Sequence, residues 1–489
     1  MWEAGIPRDV LQLVDVEENE AGKHLVSHPE VDRVILTGAW ETAKLFRSWR
    51  HDLPVLAETS GKNSIIVTEN ADYDLAAADI IKAAFGNAGQ KCSAASLIIL
   101  VGQAYRSERL RNQILDAASS IRVGSPSDLR SQMGPLAEPA KGKLLDGLTK
   151  LDPGQVWALK PVRIDKEGRY WSPGVRGGIK PGDPYHITEY FGPITGIMYA
   201  PDLATAIEYQ NGTAFGLTAG LHSLDPSEIE YWAERVKAGN LYVNRGITGA
   251  IVGRQPFGGW KRSAVGPGAK AGGYHYLQVL GSWKRSDVTT PTPADRPCAL
   301  VEQFVGHVEG IITREERAWL LDAVARDAHE WGEWFGRSTD IGGLERERNV
   351  LRYRPAPTQV RGCADAKPVD VARVIAVGLL AAGHEMSVSL DPSLDEGLGR
   401  ALRSVGVAVT TASDDDWYAS LGAGRVRLVG GDPSRAADEA DGDPDLAVWA
   451  NEVTSAPQIE LLPFLREQSV SVTAHRFGNP DTGALSVKL

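Results

Sequence analysis

The chain has 489 residues, 43% hydrophobic and 24% charged, a balance that supports more than one folded core and argues against intrinsic disorder. With 63 acidic against 52 basic residues the net charge is -11, which disfavours nucleic acid and membrane surfaces as partners and leaves small molecules. The cysteines, Cys92, Cys298 and Cys363, are odd in number and far apart, so neither a disulfide framework nor a metal site is expected, and a reducing cytoplasm is.

The N-terminal MWEAGIPRDVLQLV lacks the pattern of a signal peptide, and no run of about 18 apolar residues occurs. Trp2 to Ala4, then Gly5 and Pro7, reads as the last turn of a helix whose beginning is absent, as though the chain started mid-domain. Residues 34 to 36 read as a buried strand, Thr37-Gly38 as a turn, and 41 to 49 as a helix, a unit whose helix N-terminus suits phosphate. A strand at 64 to 67, a helix at 75 to 85 and a strand at 97 to 101 continue the α/β rhythm. Strands at 195 to 199 and 240 to 243 and helices at 203 to 210 and 226 to 237 extend it to about residue 262. The Pro/Thr/Asp-rich stretch 286 to 297 interrupts it and is the linker expected between domains. Beyond it, a helix at 369 to 382 and strands at 386 to 390, 407 to 411, 425 to 429 and 446 to 449 predict a second, smaller α/β domain. The acidic stretches 413 to 416 and 436 to 446 read as solvated loops or faces.

Chemistry concentrates in two segments. FGNAGQKCSA at 85 to 94 sets Cys92 in a Gly-rich turn where a substrate can approach closely and backbone N–H groups can face it. That makes Cys92 a candidate nucleophile, although a lone cysteine among apolar residues is more often inert. Glu58, in LAETSGKNS, lies between an apolar run and a Gly turn, where a carboxylate is either paired at the surface or working as a base. No P-loop, GxGxxG, GxSxG or HExxH pattern competes with this pair.

Taken with EYFGPI at 189 to 194 and RQPFGG at 254 to 259, these segments form four ordered motifs that resemble the aldehyde dehydrogenase superfamily. The string NRGITGAIVGRQPFGGWKRSAVGPGAKAGG at 244 to 273 is most similar to the substrate-anchor region of L-glutamate γ-semialdehyde (Δ1-pyrroline-5-carboxylate) dehydrogenases. ELLPFLREQSVSVTAHRFGNP at 460 to 480 resembles the C-terminal accessory domain of the longer proline-utilization proteins.

The resemblance implies an aldehyde dehydrogenase-like α/β fold: an incomplete Rossmann-type NAD-binding domain (1–60), a catalytic domain (61–262), a returning segment (263–285), the linker and a Rossmann-like accessory domain (298–489). It implies that Cys92 attacks the aldehyde carbon and that Glu58 activates the water that hydrolyses the resulting thioester. Thr37, Gly38, Glu189 and Phe191 match residues that hold NAD, although Ala39 and Trp40 replace the Ser and Thr of many relatives. Ser93, Gly249 and Ala250 match the anchor for the substrate α-carboxylate, and Phe257 an aromatic wall along its chain. The implied reaction is NAD-dependent oxidation of L-glutamate γ-semialdehyde to L-glutamate, by a homo-oligomer or with a separate N-terminal or proline dehydrogenase chain. The family also has, before the position matching Met1, early strands of the nucleotide-binding domain, an adenosine-binding Lys and an oxyanion-hole Asn. Their absence motivates the alternative, a catalytically silent fragment or interaction protein.

Overall fold

The run Asn63–Val67 forms a strand in which every residue is buried, Ile65, Ile66 and Val67 having no exposed surface. A strand apolar on both faces needs cover on both, the condition of a central parallel strand. In this computed structural model, which describes residues 1–286, 291–476, 479–480 and 483–489, it lies inside a ten-stranded sheet. The order from edge to edge is Thr339–Asp340, Glu347–Pro355, Leu465–Thr473, Asn240–Val243, Thr218–His222, Asn63–Val67, Ala95–Val101, Ile194–Ala200, Gly174–Ile179 and Val156–Leu159. The strands from Leu465–Thr473 to Gly174–Ile179 run parallel, and antiparallel pairs finish both rims. Helix Tyr73–Phe85 buries Ala76, Ala77, Ile80, Ile81 and Ala84 in the core around this sheet. Its start is capped by Asp72, which accepts from the N–H groups of Asp74 (3.1 Å) and Leu75 (3.3 Å).

A three-stranded sheet lies beside it. Val34–Thr37 pairs in parallel with Val55–Glu58, placing Thr37 opposite Glu58, and Ala264–Val265 adds an antiparallel third strand. The third large sheet is wholly parallel, in the order Val409–Thr411, Ser387–Leu390, Gln359–Gly362, Gly424–Val429 and Leu446–Trp449. In chain order that is 3-2-1-4-5, the doubly wound arrangement. Helix Pro368–Ala382 packs into its core, carrying the buried Arg373, which Asp327 holds through two hydrogen bonds of 2.5 and 2.8 Å.

The strands and helices read from hydrophobic periodicity coincide with these elements to within two residues at each end. Glu347–Pro355 and Leu465–Thr473 carry no such signal, because their buried positions include Arg352, Gln468, Ser469 and Ser471. Three of the ten strands of the large sheet thus come from beyond the 286 to 297 stretch, whose residues 287 to 290 lie outside the described residues. The segment after 297 builds its own sheet and also completes the first one.

The acidic stretches are solvated at Asp415, Asp416, Asp438, Glu439 and Asp441, as expected, while some of their carboxylates take distant partners. Asp414 accepts from the buried Arg361 at 2.5 Å, Asp438 meets His51 at 3.2 Å, and Asp445 accepts from Arg262 at 2.8 Å and from the Trp40 indole at 3.1 Å. Distant cations and donors, invisible in the local sequence, draw Asp414 and Asp445 partly inward, while Asp438 stays exposed.

Candidate active site

The loop bearing Cys92 leaves helix Tyr73–Phe85 through a tight turn in which Asn87, Ala88 and Gly89 all have positive φ. At Gly89 a Cβ would fall 2.1 Å from the Gly192 carbonyl oxygen, so only glycine lets the cysteine loop lie against the EYFG segment. Gln90 ties the loop outward, accepting from Ala137 N–H (2.8 Å) and donating to the Phe191 carbonyl (3.3 Å). Asn63 ties it inward: its Nδ2 donates to the carbonyls of Cys92 (2.7 Å) and Ala94 (3.1 Å), and its Oδ1 accepts from Thr218 N–H (3.0 Å).

Cys92 is a free, half-buried thiol. Burial raises its pKa above the ordinary value, the negative charges of Glu58 and Glu189 raise it further, and the N–H groups of Ser93 and of Cys92 itself pull it back. The thiol therefore lies within electrostatic reach of both carboxylates.

Glu58 ends its strand against the Gly258-Gly259 turn, its Oε2 accepting from Gly259 N–H at 3.1 Å. Burial pushes the carboxyl up to about 8, opposed by the Lys270 charge and by that N–H. Glu58 also holds the turn predicted for a cofactor, since its carbonyl accepts from Gly38 N–H at 3.2 Å while Thr37 is its register partner. A cavity of about 390 Å³ opens beside it, walled by Glu58, Lys270, Arg262, Asp445, Arg425 and Glu467 rather than by the thiol.

Glu189 follows the short helix Pro184–Ile187, and its Oε1 accepts from Gly61 N–H at 2.9 Å. Burial raises its pKa, and the Gly61 N–H and Ser60 hydroxyl oppose the rise. Phe191, at φ 58 and 41% exposed, projects from the same turn. Behind them Lys62, 4% exposed and with no hydrogen-bond partner among the described residues, stands 4.1 Å over the Tyr185 ring, which stacks on Tyr190. Burial lowers this lysine to about 7, with Glu189 opposing.

Ser93 is buried in the cysteine loop, its carbonyl facing the Thr218 hydroxyl at 3.5 Å. Gly249 has φ 84 and open space around it, so its turn leaves the backbone of Gly249 and Ala250 approachable. That loop is fixed by Gln255, which accepts from Ile251 N–H (3.0 Å) and donates to Asn349 (2.6 Å) and Glu347 (2.8 Å) of the strand Glu347–Pro355. Phe257 is half-buried and exchanges backbone hydrogen bonds with Ala271. The structure thus joins Glu58, Cys92, Glu189 and the Thr37-Gly38 turn through shared bonds and fields, and places the anchor loop on strands from the C-terminal segment.

Residues 1–284 match the aldehyde dehydrogenase family. The chain belongs to it. Within that family, 1-pyrroline-5-carboxylate dehydrogenase of Geobacillus sp. (strain WCH70) is 35% identical over 284 residues, covering 56% of this chain and 54% of that protein. The enzyme of the same name from Bacillus subtilis (strain 168) is 34% identical over 286 residues, 57% of this chain and 55% of that one. Among solved structures, proline utilization A from Corynebacterium freiburgense aligns with a TM-score of 0.83 at 41% identity, over 98% of this chain and 45% of that one. A 1-pyrroline-5-carboxylate dehydrogenase from Thermus with bound NAD aligns with a TM-score of 0.52 at 34% identity, over 57% of this chain and 55% of that one. The chain spans about half the length of the curated relatives it matches. The aldehyde dehydrogenase-like α/β fold expected from the motifs is the fold observed.

Sequence reasoning about this family member passed over Asn63, Lys62 and Lys270. The first two stand inside LAETSGKNS and the third inside the anchor string, so position within a motif was the available signal. Their roles depend on which carbonyls and rings they meet in space.

Proposed function

We propose that this chain carries the thiol chemistry of NAD-dependent oxidation of L-glutamate γ-semialdehyde to L-glutamate, the second step of proline catabolism. What supports the reading is that the charge of Glu58, 34 residues before Cys92 in sequence, acts on the Cys92 thiol, and that Glu58 lies in register with Thr37 of the turn Thr37-Gly38. The substrate follows from the relatives' name and from the anchor string.

The residues present fit the nicotinamide half of NAD. The Thr37-Gly38 turn opens on the N-terminus of the helix Trp40–Trp49, whose first-turn N–H groups suit phosphate. Glu189 offers a carboxylate to ribose hydroxyls, and Phe191 an exposed ring. When bound, NAD supplies the acceptor for a hydride.

Cys92 gives its proton to water, and its sulfur bonds to the aldehyde carbon as the carbonyl π pair moves onto oxygen, the N–H groups of Cys92 and Ser93 steadying the thiolate beforehand. Loss of hydride leaves a thioester. Glu58 then takes a proton from water, the water oxygen bonds to the thioester carbon, the C–S bond breaks, and the product leaves as a carboxylate. Ser93 and the N–H groups of Gly249 and Ala250 hold the α-carboxylate, with Phe257 along the chain. In this reading residues 1–60 are the incomplete NAD-binding domain, 61–262 the catalytic domain, 263–285 its returning segment, 286–297 the linker and 298–489 the accessory domain. The setting is the cytoplasm, with a second copy or a separate N-terminal or proline dehydrogenase chain as partner.

NADH formation from glutamate semialdehyde tests this, with Cys92→Ala as control. Turnover lost in the control supports it, and equal background absorbance from both proteins overturns it for this chain.

A further inference from the structure

A carboxylate that takes a proton from water has to be held in place and kept ionisable. Glu58 rests on the Gly258-Gly259 turn, and a Cβ on Gly258 would come within 2.9 Å of its Oε1. A turn of two glycines has no side chains to fix it, so its conformation comes from outside. Asn240 supplies part, its Oδ1 accepting from Gly258 N–H at 3.2 Å and its Nδ2 donating to the Pro256 carbonyl at 3.0 Å. Lys270 supplies the rest. Only 3% exposed, it donates through Nζ to the Gly258 carbonyl and to Asn240 Oδ1, both at 2.7 Å. Its own N–H donates to Glu467 Oε2 at 3.1 Å, a residue of the strand Leu465–Thr473, while the buried Glu467 Oε1 has no partner among the described residues.

We infer that Lys270 is the positioning residue for Glu58: seated by Glu467, its ammonium pins the Gly258-Gly259 turn and holds a positive charge near the Glu58 carboxylate. This deepens the functional reading above and rests on it. A lysine buried this deeply is costly unless its donors are met, and here the Gly258 carbonyl and Asn240 Oδ1 accept from it.

The charges follow the same geometry. Burial pushes Glu58 up to about 8 and pulls Lys270 down to about 8; Lys270 opposes the first, and Glu58 and Glu467 oppose the second. The other charged groups around the cavity are committed elsewhere. Lys261 donates to the carbonyls of Asn211 and Thr213, Arg262 pairs with Asp445, Arg425 donates to the carbonyls of Leu462, Pro463 and Leu465, and Arg466 lies 5.9 Å over the Trp260 ring. On the loop side the titratable neighbour is Cys92, whose thiol the Glu58 charge raises.

The rate of Cys92 alkylation by iodoacetamide against pH, followed at the Cys92 peptide by mass spectrometry, reads the Glu58 charge on the full chain. It needs neither aldehyde nor NAD, so it fails independently of the proposed reaction. Glu58→Gln removes the repelling charge and moves the profile to lower pH. Lys270→Met, by keeping Glu58 protonated to higher pH, moves it the same way by roughly one pH unit, and Lys270→Arg stays with the wild type. In a Glu58→Gln background Lys270→Met moves nothing. A Lys270→Met profile coincident with wild type, or an equal displacement in the Glu58→Gln background, overturns the inference. If the Met variant does not fold, Lys270→Gln, neutral yet still a donor, gives the same reading.

Discussion

Glu58 and Cys92 are each driven by burial toward the neutral form, and the negative charge of Glu58 makes the thiolate harder to form. In its proposed role as base, Glu58 works only when ionised, so thioester hydrolysis is expected to rise with pH through about 8 and to fall away below it. Glu58→Gln leaves the attack on aldehyde in place and slows hydrolysis by about 10² to 10⁴. Stopped-flow NADH absorbance checks this: one equivalent per Cys92 followed by a near-zero steady state is expected, and an undiminished steady rate contradicts it. Asn63 decides whether the nucleophile loop keeps its shape, because one amide serves two carbonyls and one N–H. Asn63→Ala leaves those groups unpaired in a buried place and is expected to cost about 3 kcal/mol in urea unfolding. A loss within about 0.5 kcal/mol, the range of ordinary surface substitutions, would show that the loop holds itself.

Two elements explain themselves only by their neighbours. Leu465–Thr473 is buried although it carries Glu467, Gln468, Ser469 and Ser471. Gln468 donates to the Ala238 carbonyl at 2.8 Å and Ser469 to that of Pro256 at 2.7 Å, so the polar side chains knit the strand onto Asn240–Val243 and its flanking loop. Gly424–Val429 likewise buries Arg427, which meets Glu460 at 3.0 Å, both residues being almost wholly inaccessible. Breaking such a pair strands a charge in the core. Arg427→Met is expected to cost about 3 to 5 kcal/mol, and Arg427→Met with Glu460→Gln distinctly less. Calorimetric or urea melts of both variants decide it; a double variant as unstable as the single would show that Glu460 is not the group left in need.

Over the whole molecule the C-terminal segment is part of the dehydrogenase sheet. Asn240–Val243, with Leu241, Tyr242 and Val243 at 1% exposure or less, is an interior strand because Leu465–Thr473 pairs with it. Ending the chain at residue 286 removes that pairing and leaves a buried-type strand as a bare edge, a template for association. The shortened protein is expected to aggregate or form large oligomers on size exclusion, whereas a soluble monomer with the native far-ultraviolet circular dichroism would contradict this. The same segment grips the helix Trp40–Trp49: Asp445 takes the Trp40 indole and also Arg262, and Arg47 donates to the Leu446 carbonyl. Trp40, odd by the family pattern, thus has a partner of its own.

Local information sufficed for much of this protein. Apolar spacing marked parallel strands such as Asn63–Val67, Ala95–Val101 and Ile194–Ala200 and their helices, because burial on both faces writes itself as a continuous run, but not Gly174–Ile179, Thr218–His222 or Gln359–Gly362, and the motifs around Glu58, Cys92, Glu189 and Phe257 stand in order along the chain. What the tertiary structure alone decided is which polar residues are interior. Lys270, Glu467 and Asn63 are buried with no local sign of it in the sequence and Asp445 is partly so, and each meets a partner far along the chain. A buried polar group is stable only when its bonds are met, and the fold alone determines whether they are.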